Sequence, residues 1–214
     1  MGSPTSLADP AALVVIDTSA AINLIATGCA GQILQALPNR VLAVDAVPIE
    51  LEEGRQRGRP DADLLRELVV ARRIEVVTLG NLSTAIFEEL VIGAAAMTLD
   101  DGEAATIAYA VEHVATAIID ERKAMRICAE RFPNLHVGCT VDMFAHPDVI
   151  RSLGRDGLSQ AVVNALQLAR MRVLPHHVEW VVGLIGTKEA ASCVSLPQSV
   201  RRTHRPSSER KDRR

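Results

Sequence analysis

Two of the most apolar short runs in this chain end in an aspartate: "LVVID" closes on Asp17 and "TAIID" on Asp120. In a parallel sheet, ligands gather outside the carboxyl ends of the strands. Two acids at the ends of neighbouring strands would repel each other unless a cation lay between them. Glu103 is a third candidate. In "DDGEAATIAYAVEHV" it shares a helix face with Ile107, Ala110 and Val114, at i, i+4, i+7 and i+11. A carboxylate heading such an apolar face points at the sheet edge rather than into bulk water. Hard oxygen ligands without His or Cys suit Mg²⁺ or Mn²⁺. Such an ion polarises a phosphoryl oxygen and activates water, which is the chemistry of phosphodiester hydrolysis.

Each acid also has a purely structural role open to it. Asp is a favoured N-cap for a helix that follows a strand. Asp100 followed three residues later by Glu103 has the form of a capping box, and Asp101 lies beside it. Glu50, in "VDAVPIELEEG", neighbours Glu52 and Glu53 as on any solvated helix face, and spacing alone does not single it out. The pairing of Asp17 with Asp120 is what favours the ligand reading. Other chemistries lack their residues: there is no GxxxxGK[ST], no GxGxxG after a strand and no GxSxG. An aspartyl-phosphate phosphatase would want an acid two residues after its nucleophile, where this chain has Ser19. His176 and His177 fit a loop or helix end better than a metal site.

The elements that must position these acids follow from periodicity. Strands are expected at 13–17, 41–44, 74–79, 116–119 and 134–139; the first is a continuous apolar run, as in a parallel sheet covered on both faces. Helical patterns fill the gaps: 19–36 split at Gly28–Gly31, a helix starting at 47–53, then 61–73, 83–95, 102–113 and 121–131. "GRQRGRP" at 54–60 is a basic break. Strands alternating with helices predict an α/β domain around a parallel sheet with right-handed crossovers. The expected organisation is a flexible lead-in at 1–12, a domain at 13–145, and a mainly helical C-terminal extension at 146–196 with room for one late strand. A basic, disordered tail at 197–214 completes it.

Composition narrows the function classes. With 214 residues, 48% hydrophobic and 23% charged, the chain can bury a full core. It has only three Phe, one Tyr and one Trp, too few rings to bind single-stranded nucleic acid by stacking. If RNA is the partner, contact should therefore run mainly through phosphates and sugars. Net charge is −3, but residues 201–214 hold a surplus of five positive charges, leaving about −8 on the rest. An acidic body suits a protein that gathers carboxylates around a cation or pairs with a basic partner. Four dispersed cysteines predict reduced, mostly buried thiols and a cytoplasmic location. No membrane span or signal peptide is expected, and the myristoylation-like "MGSPTS" is taken as coincidence.

The order of motifs resembles the PIN-domain family of metal-dependent ribonucleases. "VVIDTSAAINLIATG" is similar to its first motif, and "VDAVPIEL" to its second, with Asp45 in place of a proline. "LDDGEAATIAYA" matches the G-E-A-x-x-I-A form of the third, found in a subgroup described as nucleic-acid-binding, and "AIIDERKAMRIC" the fourth. "VGC" with the following Thr140 resembles the final strand and turn.

The resemblance implies a three-layer α/β/α sandwich around a central parallel β-sheet, here with an extra mainly helical C-terminal segment. It implies a catalytic quartet of Asp17, Glu50, Glu103 and Asp120, with Asp17, Glu103 and Asp120 as metal ligands for Mg²⁺ or Mn²⁺. Thr18, Ser19 and Arg122 would bind substrate. In-line attack of water on phosphorus would leave a 3′-hydroxyl and a 5′-phosphate. RNA as substrate, a protein antitoxin and a second copy of the chain are the candidate partners, with no membrane. Two further classes stay compatible: a PIN-like module that binds nucleic acid or protein without cutting, and a DNA flap nuclease of the same broad fold.

Overall fold

The computed structural model describes Leu7 and residues 9–55, 58, 60–95 and 97–202. Most of the expected lead-in, part of the basic break and the tail from 203 onward lie outside the described residues. Five strands form the sheet: β1 (Val14–Ile16), β2 (Val41–Val44), β3 (Glu75–Val77), β4 (Thr116–Ile118) and β5 (Val137–Gly138). All neighbours pair in parallel, in the order β3-β2-β1-β4-β5.

Alternation along each strand divides the interior in two. Val14, Ile16, Val41, Ala43 and Ile118 face one core, while Val15, Leu42, Val44, Ala117 and Ile119 face the other. The first core is covered by α1 (Thr18–Ala26), α2 (Ala30–Ala36), α3 (Ala46–Arg55) and α4 (Asp61–Val70). The second is covered by α5 (Asn81–Val91), α6 (Asp101–His113) and α7 (Arg122–Arg131). The result is the expected three-layer α/β/α sandwich. The chain winds outward from β1 to β3 over one face, then returns to β4 and β5 over the other. The direction of winding thus reverses between β1 and β4. A crevice opens at such a switch point, outside the carboxyl ends of the strands.

Several details differ from the sequence pattern. Val114, expected on the buried face of α6, terminates that helix in a left-handed conformation (φ 52°) and is 84% exposed. A chain turning into β4 must leave the helix axis there, which carries the side chain off the face. Leu7, within the lead-in, is buried in the first core.

The C-terminal extension is mainly helical, with no late strand among the described residues. After α8 (Thr140–Phe144), which closes the domain, it comprises α9 (Pro147–Leu168), a 3-10 turn at Pro175–His177, α10 (Val178–Ile185) and α11 (Thr187–Ser192); α12 (Gln198–Arg202) is a short helix in the segment expected as a disordered tail. Gly154 bends α9 with φ 65°, which a side chain would disfavour. The buried face of α9 (Leu158, Val162, Ala165, Leu166) joins the first core, where α9 packs on α1 and α2. The extension is thus part of that layer and lies beside the helix that follows Asp17. No helix among the described residues is long and apolar enough to cross a membrane.

Candidate functional site

Asp17 directly follows β1 and caps α1, its Oδ1 accepting the Ala20 N–H at 2.7 Å. That role uses one oxygen only. Oδ2 is buried and has no hydrogen-bond partner among the described residues. Burial and the charge of Asp120, with smaller contributions from Glu103 and Glu50, hold this carboxyl well above the usual carboxylate range; the Ala20 N–H opposes them. A buried ionised oxygen without a partner is costly, so the group either keeps a proton or meets a cation.

Asp120 lies two residues beyond β4 and is 4% exposed. Its Oδ1 accepts the Thr140 N–H at 2.9 Å, and its Oδ2 accepts the Asn23 Nδ2 at 2.7 Å and the Thr140 hydroxyl. Burial raises its pKa against the pull of these donors. Donors from α1 and from the first residue of α8 fix the orientation of this carboxylate.

Glu50 reaches the site from α3. Its Oε2 accepts the Thr18 hydroxyl, and its Oε1 accepts the Gly102 N–H at 2.8 Å. Glu103, half-buried in the first turn of α6, is pushed up to about 7 by burial and by the charges of Asp100 and Glu121. The Asp100 N–H donates to it, which is one half of a capping box, while the Asp100 side chain makes no cap bond. Asp100 and Asp101 are both exposed. The switch point therefore gathers four carboxylates from four elements. A donor set made only of oxygens, one of them buried and bare, fits a hard divalent cation.

A family model described as a PIN domain matches residues 13–146. The chain belongs to the PIN-domain family. The match spans all five strands and all four acids and ends where α9 begins. PIN domains are generally nucleases. Searches of curated proteins and of solved structures returned no significant match.

Within this PIN domain the proposed substrate contacts fare unevenly. The Thr18 hydroxyl is committed to Glu50. Ser19 is exposed on the wall of a cleft of about 210 Å³ that also reaches Asn23 and Asp120. Arg122 is exposed at the start of α7, outside that cleft, and pairs with none of the four acids. The arginines that line the cleft are Arg170 and Arg172, from the extension.

Sequence reasoning missed Asn23, Gly102 and these two arginines. An amide among Ile22, Leu24 and Ile25 on α1 was the available signal for Asn23. A second group able to hold a metal lies nearby: Cys139, Asp142 and His177, all buried, bring potential ligand atoms within 4.8 Å of one another. Asp142 Oδ2 already accepts the Cys139 N–H at 2.8 Å, and its Oδ1 lies 3.2 Å from His177 Nε2. That nitrogen meets no acceptor by strict hydrogen-bond geometry, yet its approach to Asp142 helps to lower the pKa of that carboxyl. His177 sits at the end of the 3-10 turn, as its sequence suggested, but it is buried against Asp142 rather than solvated. All four cysteines are free thiols, three of them buried.

Proposed function

We propose that the chain is a divalent-metal-dependent endoribonuclease that hydrolyses RNA phosphodiester bonds with Mg²⁺ or Mn²⁺. The observation that carries this reading is Asp17 Oδ2, a fully buried carboxylate oxygen without a donor, in the field of three other acids. In this reading Asp17, Glu103 and Asp120 hold the cation, and Glu50 completes the quartet. The bound cation would supply Lewis-acid polarisation of a phosphoryl oxygen and a lowered pKa for water.

The chain's own residues supply position. Asn23 and Thr140 orient Asp120, while Thr18 and the Gly102 N–H orient Glu50. Preorganised groups of this kind spend no reorganisation energy as charge develops on phosphorus. Ser19, open to the cleft, is placed to donate to a phosphate oxygen. RNA as the substrate and a toxin role with a protein antitoxin follow from the resemblance; a cytoplasmic site of action follows from the dispersed cysteines, and four free thiols are consistent with it.

The test is Asp17→Asn assayed on single-stranded RNA with Mn²⁺. Cleavage should fall by at least about 100-fold, with circular dichroism unchanged. Retained activity would remove Asp17 from the site. Calorimetric titration with Mn²⁺ should show saturable binding that an Asp17→Asn/Asp120→Asn double variant loses. If neither protein binds the ion, the chain is a non-catalytic PIN-like binder. Expression of the wild-type chain, but not of Asp17→Asn, should arrest growth if it is a toxin.

A further inference from the structure

We propose that the C-terminal extension, which lies beyond the matched family span, supplies the cationic wall of the acidic cleft, with Arg170 binding a backbone phosphate of an RNA strand. This rests on the nuclease reading above and names how its substrate is held.

The cleft has two sides. One is α1, through Ser19, Ile22 and Asn23, with Asp120 and Glu121 beside them. The other is the segment Ala169–Arg172, immediately after α9. That segment is built in an unusual way. Arg170 adopts a left-handed backbone with φ 55°, a conformation that non-glycine residues rarely hold. The next residue, Met171, is 1% exposed, and its N–H bonds back to the Ala165 carbonyl at 3.0 Å. Burying Met171 leaves the arginines on either side of it exposed along the cleft. Backbone strain that surrounding packing enforces is often found where a side chain must be aimed.

The two arginines are not equivalent. Arg172 donates to Glu121 Oε1 at 2.8 Å, so its charge is partly spent on fixing the rim. Arg170 has no hydrogen-bond or ion-pair partner among the described residues and stands at a junction. Together with Ile22 and Ala169 it lines both the cleft at Asp120 and a larger groove of about 760 Å³ that runs on past Ile25 and Gly28 to Asp61. A strand lying along this path would pass Arg170 on leaving the acids.

Electrostatics require such a group. The body of the chain is acidic, the site itself holds four carboxylates, and Asp61 adds another at the far end of the groove, so a polyanion is repelled unless a local cation offsets them. Aromatic stacking is not the alternative, because no aromatic side chain lines the cleft or the groove. A guanidinium, permanently charged and fork-shaped, is well matched to a phosphate.

Arg170→Gly is the informative substitution, since glycine accepts the positive φ and the fold should be kept. Binding is read by fluorescence anisotropy with labelled single-stranded RNA, in an Asp17→Asn background so that the probe survives. Arg170→Gly should weaken binding about tenfold, equally for RNAs of different sequence. The slope of log K against log salt should become shallower by about 0.7. Arg170→Lys should recover most of the salt slope. With Asp17 restored, Arg170→Gly should raise KM more than it lowers kcat.

Unchanged affinity and salt slope in Arg170→Gly, with Mn²⁺-dependent cleavage by the wild type, would overturn this assignment and leave the nuclease reading standing. A wild-type chain that neither binds nor cuts RNA would overturn both.

Discussion

The Gly102 N–H donates to Glu50 Oε1 at 2.8 Å, and a Cβ built on Gly102 would lie 2.8 Å from the other oxygen of the same carboxylate. It would also lie 2.5 Å from Thr18 Oγ1. The glycine before Glu103 is therefore what lets α6 approach α1 and α3 closely enough to close a Thr18–Glu50–Gly102 chain. Gly102→Ala should gain up to about 1 kcal/mol of helix propensity and lose the registration of Glu50. We expect a melting temperature within a few degrees of wild type and a fall in cleavage of about tenfold or more. Wild-type cleavage by Gly102→Ala would show that the Glu50 position is not needed.

The pH dependence of the metal-free protein follows from the raised acids. Asp17, Asp120 and Glu103 all have folded-state pKa values above their unfolded ones, with Glu103 at about 7. The folded state holds these protons longer than the unfolded chain does. Their contribution to stability is complete below the unfolded values and is lost as pH rises, for Glu103 through about 7. In EDTA the melting temperature should fall between about pH 5 and 8. Mn²⁺ should stabilise more at pH 8 than at pH 5.5, because protons compete with the ion for the same oxygens. A metal-free melting temperature that rises across this window would contradict the clustering of the acids.

How much of this was legible in the sequence varied with how local the cause is. Strand-end acids could be found because a buried parallel strand is an apolar run, and Asp17 and Asp120 each stop one. The α/β domain with its parallel sheet followed from the alternation of such runs with helices, and the three-layer arrangement from the resemblance. The Asp17 reading as a cap and as a candidate ligand proved compatible, since its two oxygens are differently employed. Nothing local marks Asn23 as a partner of Asp120, 97 positions away, or Arg170 as a wall of the cleft. These depend on how α1 and α9 pack, which periodicity does not specify. Val114 shows the converse, because the face of α6 was right until the helix ended.

Asn23 offers a way to separate orientation of a ligand from its presence. It gives Asp120 Oδ2 a hydrogen bond at 2.7 Å, while Thr140 supplies the other two. Asn23→Leu keeps the number and branching of side-chain heavy atoms and removes the donor. Groups that orient metal ligands in this way are worth about 10- to 100-fold in affinity or activity, so Mn²⁺ binding by calorimetry should weaken within that range. The acid itself remains, so binding should persist, unlike in the Asp17→Asn/Asp120→Asn variant. Affinity equal to wild type would mean that Thr140 alone aligns Asp120.

One buried contact joins the extension to the domain. Asp142 belongs to the matched family span and His177 to the extension; both are buried, with Oδ1 and Nε2 3.2 Å apart. Burial raises the Asp142 carboxyl, but His177 and the Cys139 N–H outweigh it, so its pKa is lowered overall. A lowered folded pKa means stability that is present above the unfolded value and lost as pH falls through the folded one. His177→Ala leaves that carboxylate short of a partner and should cost about 3 kcal/mol at pH 7 by urea unfolding. Near pH 3, where Asp142 is protonated in the unfolded chain, the cost should shrink. Because His177 helps to seat the extension, RNA affinity should fall with it, provided that Arg170 lines the cleft as described. Equal unfolding free energies for wild type and variant at pH 7 would show that the pair contributes nothing to docking.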